Sequence, residues 1–396
     1  MRQLHVEGWW AIRQETSRKL RLNLPAGGLF PRLQYLFWRI TACNIRYADL
    51  FFSPYMERIS IDLSCVQNNT RSPRRNILPA VASIMSAFPT SALQCIHVDD
   101  CRMTRWVDFG DSLSSTVVRC GPSLTEFTSA IPLSDAAVNH LVQLPHLHTW
   151  HIEGPPPNYS TASLPLIFPP LTKLTLGRGA PRGWLSLFER LERCAFATRG
   201  TIPLSKVKRS LESLTIKGTP IPIIDGSFVF PIRAFQNLVH LNMELYCDNQ
   251  ENGDQCIFEL DDDDVAKLAM VLSQLESLML GYACFQNTCA TTIGCLLPIS
   301  VHCVRLQSLE VHFNTTNIVD DLKNVSEDPR FQELRPLPRC TLSRLDVSDI
   351  PLTLDEPGLE TVAKGMVGIL PSLERCVGLE PVWDMISDRI SAFLEK

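Results

Sequence analysis

Residues 107–115 read VDFGDSLSS, and Ser112 follows a Gly-Asp pair. A serine hydroxyl becomes a nucleophile only when a base takes its proton and nearby donors hold the developing oxyanion. The base is missing from the expected place: the last histidine is His312, and no Asp-x-x-His occurs anywhere in the chain. The neighbouring residues give Ser112 a plainer role. Asp111 or Ser112 is expected to cap a helix with the body SLSSTVVR. Gly121 is expected to end it in the left-handed conformation, and Pro122 to stop its continuation. No catalytic residue is assigned.

Other chemistry-bearing residues point the same way. Cys284, Cys289, Cys295 and Cys303 lack the paired spacing of two to four residues that zinc sites use, and their segment reads as an apolar helix. His146, His148 and His151 cannot share one strand face, because His148 and His151 have opposite parity. The run Asp261–Asp264 lacks the alternating ligands and central glycine of a calcium loop, and suits the positive end of a helix. No phosphate-cradling or dinucleotide glycine motif is present. No metal and no cofactor is expected.

Bulk composition narrows the classes further. The 396 residues are 45% hydrophobic and 20% charged, with a net charge of −5. A nucleic-acid binder needs a basic stripe, and the one basic cluster, RSPRR at 71–75, reads as a solvated loop. No run approaches the apolar length of a membrane span, and the charged N-terminus is unlike a signal peptide. The 14 cysteines are scattered with no CxxC pair, as in a reduced compartment. A cytosolic or nuclear monomer follows, with no nucleic acid and no membrane as partner.

The elements come from a repeat. The pattern apolar, two variable, apolar, one variable, apolar recurs as MRQLHV at 1–6, LQYLFW at 33–38, MERISI at 56–61, LQCIHV at 93–98 and LTEFTS at 124–129. It continues as LHTWHI at 147–152, LTKLTL at 171–176, LERCAF at 191–196, LESLTI at 211–216 and LVHLNM at 238–243. LESLML at 275–280, LQSLEV at 306–311, LSRLDV at 342–347 and LERCVG at 373–378 complete it. The fourth and sixth positions alternate with polar ones, which is strand period two. No unit can bury its apolar face alone, so stacked units must share one core. Helical signals at 77–88, 133–145, 261–275 and 356–371 lie between strands.

The expected fold class is α/β: an irregular leucine-rich-repeat solenoid, with a curved parallel sheet on the concave face and helices and loops on the convex face. It is read as one domain over 1–396, closed by a capping helix at 379–396. A partner protein would dock on the concave face. Strand parity, with the residue just after each unit, names the exposed candidates. They are Tyr35, Phe37, Arg58, Asp62, His97, Asp99, His151, Glu153, Lys173, Lys217, His240, Glu244, Glu310, His312, Arg344 and Asp346. Tyr35 and Phe37 are the expected anchors, being aromatic. Thr175 belongs to the same set by parity.

Two resemblances accompany this reading. FGDSLS resembles the opening of GDSL-type esterases, which place the serine near the N-terminus and a DxxH pair near the C-terminus; this chain has neither. The stretches GGLFPRLQYLFWRI at 27–40, PLSDAAVNHLVQLPHLHTW at 132–150, HFNTTNIVDDLKN at 312–324 and LPRCTLSRLDVSDIPLTLDEPG at 337–358 carry the broader likeness. With them the chain resembles the leucine-rich-repeat region of basidiomycete F-box proteins. In that family a short helical F-box docks on a Skp-type adaptor of a cullin ubiquitin ligase, and the repeats hold the substrate. The resemblance implies a non-enzymatic substrate-recognition module. The F-box itself has no room before residue 33, so a truncated paralogue or an incomplete reading frame is expected, and a Skp-type adaptor only with an upstream F-box. The other reading is a repeat-built binding protein with no ubiquitin link.

Overall fold

The computed structural model describes residues 2–6, 16, 19–20, 22–23, 29–41, 47, 50–64, 84–86, 88, 90–99, 107–152, 170–177, 211–218, 223–224, 226–246, 257–283, 289–327, 340–348, 352–378 and 380–395. The chain divides into two compact units, Met1–Gly179 and Ala180–Lys396.

In the first unit the strands are β1 (Gln3–Val6), β2 (Tyr35–Arg39), β3 (Arg58–Asp62) and β4 (Cys95–Asp99). Helix α1 (Val107–Val118), β5 (Glu126–Ser129), α2 (Asp135–Leu141), β6 (Thr149–Ile152) and β7 (Lys173–Leu176) follow. Each strand begins at the third residue of the sequence pattern, and each pairs in parallel with the next. The register is uniform. Leu36, Ile59, Ile96, Phe127, Trp150 and Leu174 therefore align as one row, and all are buried. At roughly 25 cal/mol per Å² of apolar area, such a row is the main attraction between repeats.

A backbone device sets that register. The carbonyl of the residue just before each strand accepts two successive amides of the next repeat. Arg2 O accepts Gln34 and Tyr35 N–H at 2.9 and 3.0 Å, and Gln34 O accepts Glu57 and Arg58 at 2.8 and 2.9 Å. Glu57, Gln94, Thr125 and His148 repeat the arrangement. A carbonyl oxygen has two lone pairs, and both are used here.

The FGDSLS segment is helical throughout. Helix α1 starts at Val107, so Asp111 and Ser112 lie inside it rather than capping it. The expected cap is wrong because the helix gains a further turn from residues that carry no strong helical signal. Gly121 does not adopt the left-handed conformation either; the helix ends with the Cys120 amide donating to Val117 O at 2.9 Å. The small residues of the string serve packing. A Cβ on Gly110 would lie 2.9 Å from the Pro132 carbonyl oxygen. Buried Ser114 accepts the Ser134 amide at 2.8 Å, and Ser134 in turn caps α2.

The second unit runs β8 (Ser213–Gly218), β9 (Ile223–Ile224), α3 (Gly226–Val229), β10 (His240–Tyr246), β11 (Ile257–Phe258) and α4 (Asp262–Val271). Then come β12 (Ser277–Ala283), α5 (Leu296–His302), β13 (Ser308–Val311), α6 (Ile318–Glu327), β14 (Arg344–Ser348), α7 (Glu356–Ile369), β15 (Arg375–Gly378) and α8 (Pro381–Leu394). Strands β8, β10, β12, β13, β14 and β15 pair in parallel in that order, and the short β9 and β11 pair with each other. Leu214, Leu241, Leu278, Leu309, Leu345 and Cys376 form the aligned buried row. Glu212, Val239, Glu276 and Ser343 supply the doubled carbonyls.

Helices α4 and α7 begin where the sequence places them. Asp261 and Asp355 cap them by accepting the Asp264 and Gly358 amides at 2.8 and 2.9 Å. Val265, Leu268, Leu272 and Leu275 are all buried, as their spacing predicts. Of the segment expected to be one apolar helix, Ile293–Cys295 is a 3₁₀ turn that leads into α5. The expected strand at 191–196 and most of the helix at 77–88 lie outside the described residues; Ile84–Ser86 is helical.

The last strand is sealed rather than open. The Ser387 hydroxyl on α8 accepts the Cys376 amide at 2.9 Å and donates to the Cys376 carbonyl at 2.7 Å. One side chain thus stands in for a further strand at an edge that would otherwise template association. Gly378 allows this close approach, since a Cβ there would lie 2.4 Å from Trp383 Cδ1. Among the described residues, no helix is long and apolar enough to cross a membrane.

Leu214 is fully buried in the aligned row. Leu214→Asp places an unpaired charge there and should cost roughly 4 kcal/mol or more. The variant is expected to lose the cooperative thermal transition of the second unit in calorimetry; an unchanged transition would mean that the repeat register is wrong.

Candidate protein-docking site

Parity leaves the odd residues of each strand on the face opposite the buried row. In the first unit two rows cross that face. One holds Tyr35, Arg58, Cys95, Glu126, Thr149 and Lys173; the other holds His5, Phe37, Ser60, His97, Thr128 and His151. Neighbouring strands bring row members to about 4.8 Å spacing.

A groove of about 660 Å³ opens over β2–β4, and Tyr35, Phe37, Arg58 and His97 line it together. Its floor is aromatic. The His5 ring meets Tyr35 edge-on at 5.6 Å and stacks on Phe37 at 5.5 Å. Arg2, Gln34, Glu57, Cys95 and Glu126 also line it. These five are not among the residues expected from the sequence. Cys95 and Glu126 occupy third positions and were open to the parity argument, whereas Gln34 and Glu57 precede their strands and fall outside it.

The polar groups of the groove are partly matched. Gln34 Nε2 donates to Glu57 Oε1 at 2.8 Å. Burial, with the adjacent Glu126 carboxylate, pushes the Cys95 thiol up to about 12, so it stays protonated at neutral pH. Cys95 is therefore a poor nucleophile.

Asp62 departs from expectation. It is only 8% exposed, because Arg39 from the neighbouring strand reaches across it. Arg39 Nε donates to Asp62 Oδ2 at 2.6 Å, and the Ser64 amide donates to Oδ1 at 2.8 Å. Burial raises the Asp62 carboxyl, but the bonds from Ser64 and Arg39 and the Arg39 charge outweigh it, leaving the pKa below the usual value. Thr175 is likewise buried at 6%. Asp99 and Lys173 are exposed and His151 is half-buried on the same face, while Glu153 lies outside the described residues.

In the second unit the corresponding face carries Lys217, His240, Glu244, Glu310, Arg344 and Asp346, and His312 directly follows β13. Its charges are engaged with each other. Lys217 pairs with Glu244 at 2.8 Å, which also accepts from Asn242 at 2.8 Å, and Arg344 pairs with Asp346 at 3.4 Å.

The other chemical candidates are placed as follows. Ser112 is in the body of α1, where the backbone amides serve helical hydrogen bonds, and its own carbonyl lies 2.9 Å from the Thr116 hydroxyl. Cys289, Cys295 and Cys303 are buried, with burial raising each thiol pKa, and Cys284 lies outside the described residues. Among the described residues, no three His, Cys, Asp or Glu side chains gather as a metal site. Asp262 does more than start a helix: it accepts the Thr292 amide at 2.7 Å and the Thr292 hydroxyl, tying α4 to the next repeat.

No protein-family model matches this chain, and no curated protein matches its sequence.

The Asp62 pair yields a pH test. A depressed folded pKa adds stability above the ordinary carboxylate range and loses it as pH falls through the depressed value. Asp62→Asn should cost about 1 kcal/mol at pH 7, discounted for the partly exposed Arg39. In urea titrations the gap to wild type should narrow below about pH 4. A gap that is the same at pH 7 and at low pH would show that the carboxylate charge is not its source.

Proposed function

We propose that the protein is a non-enzymatic interaction module of the leucine-rich-repeat type, and that a partner protein docks on the strand face opposite the buried rows. The groove over β2–β4 supports this reading best. It sets an aromatic floor and charged side chains on a surface fixed by strand register, and aromatic and arginine anchors in a concavity are what protein interfaces use. A rigid sheet face also costs little ordering on binding. The resemblance to F-box proteins extends the proposal: the module would select substrates for a cullin ubiquitin ligase in the cytosol or nucleus. That extension rests on the resemblance alone.

Ser112 argues in the same direction. Its hydroxyl sits mid-helix, where adjacent amides are committed and cannot serve as oxyanion donors. The small residues around it are accounted for by packing against the 130–134 segment.

Quantitative affinity purification tests the docking face. The combined variant Tyr35→Ala, Arg58→Glu, His97→Ala should lose partners that wild type retains, at least about tenfold in recovery. Asp111→Lys on α1 should keep them. Loss from α1 with retention by the face variant would overturn the proposal. A Skp-type adaptor among the co-purified proteins is what the ligase extension requires. Ester hydrolysis by purified protein should stay at background and be unaffected by Ser112→Ala; turnover that the substitution abolishes would restore the hydrolase reading.

A further inference from the structure

We propose that the β2–β4 groove takes an extended peptide in which an acidic residue stands two positions from an aromatic one, the carboxylate on Arg58 and the ring over Phe37 and His97. This rests on the docking reading above and gives it a ligand chemistry.

The first ground is unmatched charge. Of the two carboxylates lining the groove, Glu57 accepts from Gln34 at 2.8 Å, and Glu126 stands beside the buried Cys95 thiol. The cations do not have acceptors. Among the described residues, neither Arg2 nor Arg58 makes an ion pair or a side-chain hydrogen bond. Three other cations on these faces are paired, while Lys173 and Arg375 lie outside the groove. Arg39 has Asp62 at 2.6 Å, Lys217 has Glu244 at 2.8 Å and Arg344 has Asp346 at 3.4 Å. The Arg58 fork is thus a set of donors awaiting a planar acceptor, and a carboxylate is the side chain that matches it with two parallel bonds.

The second ground is spacing. Arg58 begins β3, and Phe37 stands opposite Ser60, two residues further along. His97 is on the other side of Ser60. Two residues along a strand span about 6.6 Å, and residues i and i+2 of an extended ligand face the same way at the same spacing. A carboxylate over Arg58 therefore puts the ring two positions away between Phe37 and His97, where stacked or edge-on contact is available.

The probe is acetyl-Glu-Gly-Trp-Gly-Glu-amide, which presents the acid on both sides of the ring and so serves either strand direction. Its control is acetyl-Lys-Gly-Trp-Gly-Lys-amide. Each is titrated into the deuterated, ¹⁵N-labelled full chain and followed by amide chemical shifts. The acidic probe should shift amides of Tyr35–Arg39, Arg58–Asp62 and Cys95–Asp99, and bind at least about fivefold tighter than the basic one. Arg58→Glu should invert the preference and Arg58→Gln should abolish it, with thermal unfolding unchanged in both, since Arg58 is exposed. Equal binding of the two probes at these strands would overturn the carboxylate assignment while leaving the docking face intact. Shifts elsewhere, or none, would overturn the proposed ligand, and the docking face would then stand or fall on recovery by the face variant.

Discussion

At most strand junctions within each unit, one carbonyl oxygen takes two amide protons from the next repeat and holds the strands in register. The bond is small, on the order of 1 kcal/mol net for each hydrogen bond. Its consequence is large. It fixes which residue of one strand faces which residue of the next, and a slip by one would turn every apolar side chain outward. With the register fixed, the leucine-type positions form continuous buried rows, and the polar positions form equally continuous rows on the other face. Core and candidate site are two sides of the same constraint.

The strands were legible in the sequence because each carries its own evidence. Leu-Gln-Cys-Ile-His-Val and Leu-Glu-Ser-Leu-Thr-Ile say which residues are inside without help from any neighbour, and β4 and β8 lie where those strings place them. Helices α4 and α7 were equally readable, since Asp261 and Asp355 advertise their starts. Helix α1 was not. Asp111 and Ser112 read as its cap, yet it starts at Val107, and the packing of Gly110 against the Pro132 carbonyl explains a glycine inside the helix.

The candidate site was legible as a face and not as a groove. Parity placed Tyr35, Phe37, Arg58 and His97 on one surface, and they do line one concavity. Parity could not tell that Asp62 is withdrawn, because that depends on how far Arg39 reaches from the next strand. Nor could it separate Arg58 from Lys217 or Arg344. Lys217 meets Glu244, which register sets opposite it on the next repeat, and Arg344 meets Asp346 two residues along its own strand, so each pairing depends on side-chain reach that parity does not carry.

The central claim is that the strand face, not the helical side, meets the partner. Photocrosslinking in cells tests it most directly, with a photoreactive residue placed at His97 on β4 or at Asp111 on the exposed side of α1. The account predicts discrete covalent adducts from position 97 and none from position 111. Adducts from position 111 alone would contradict it.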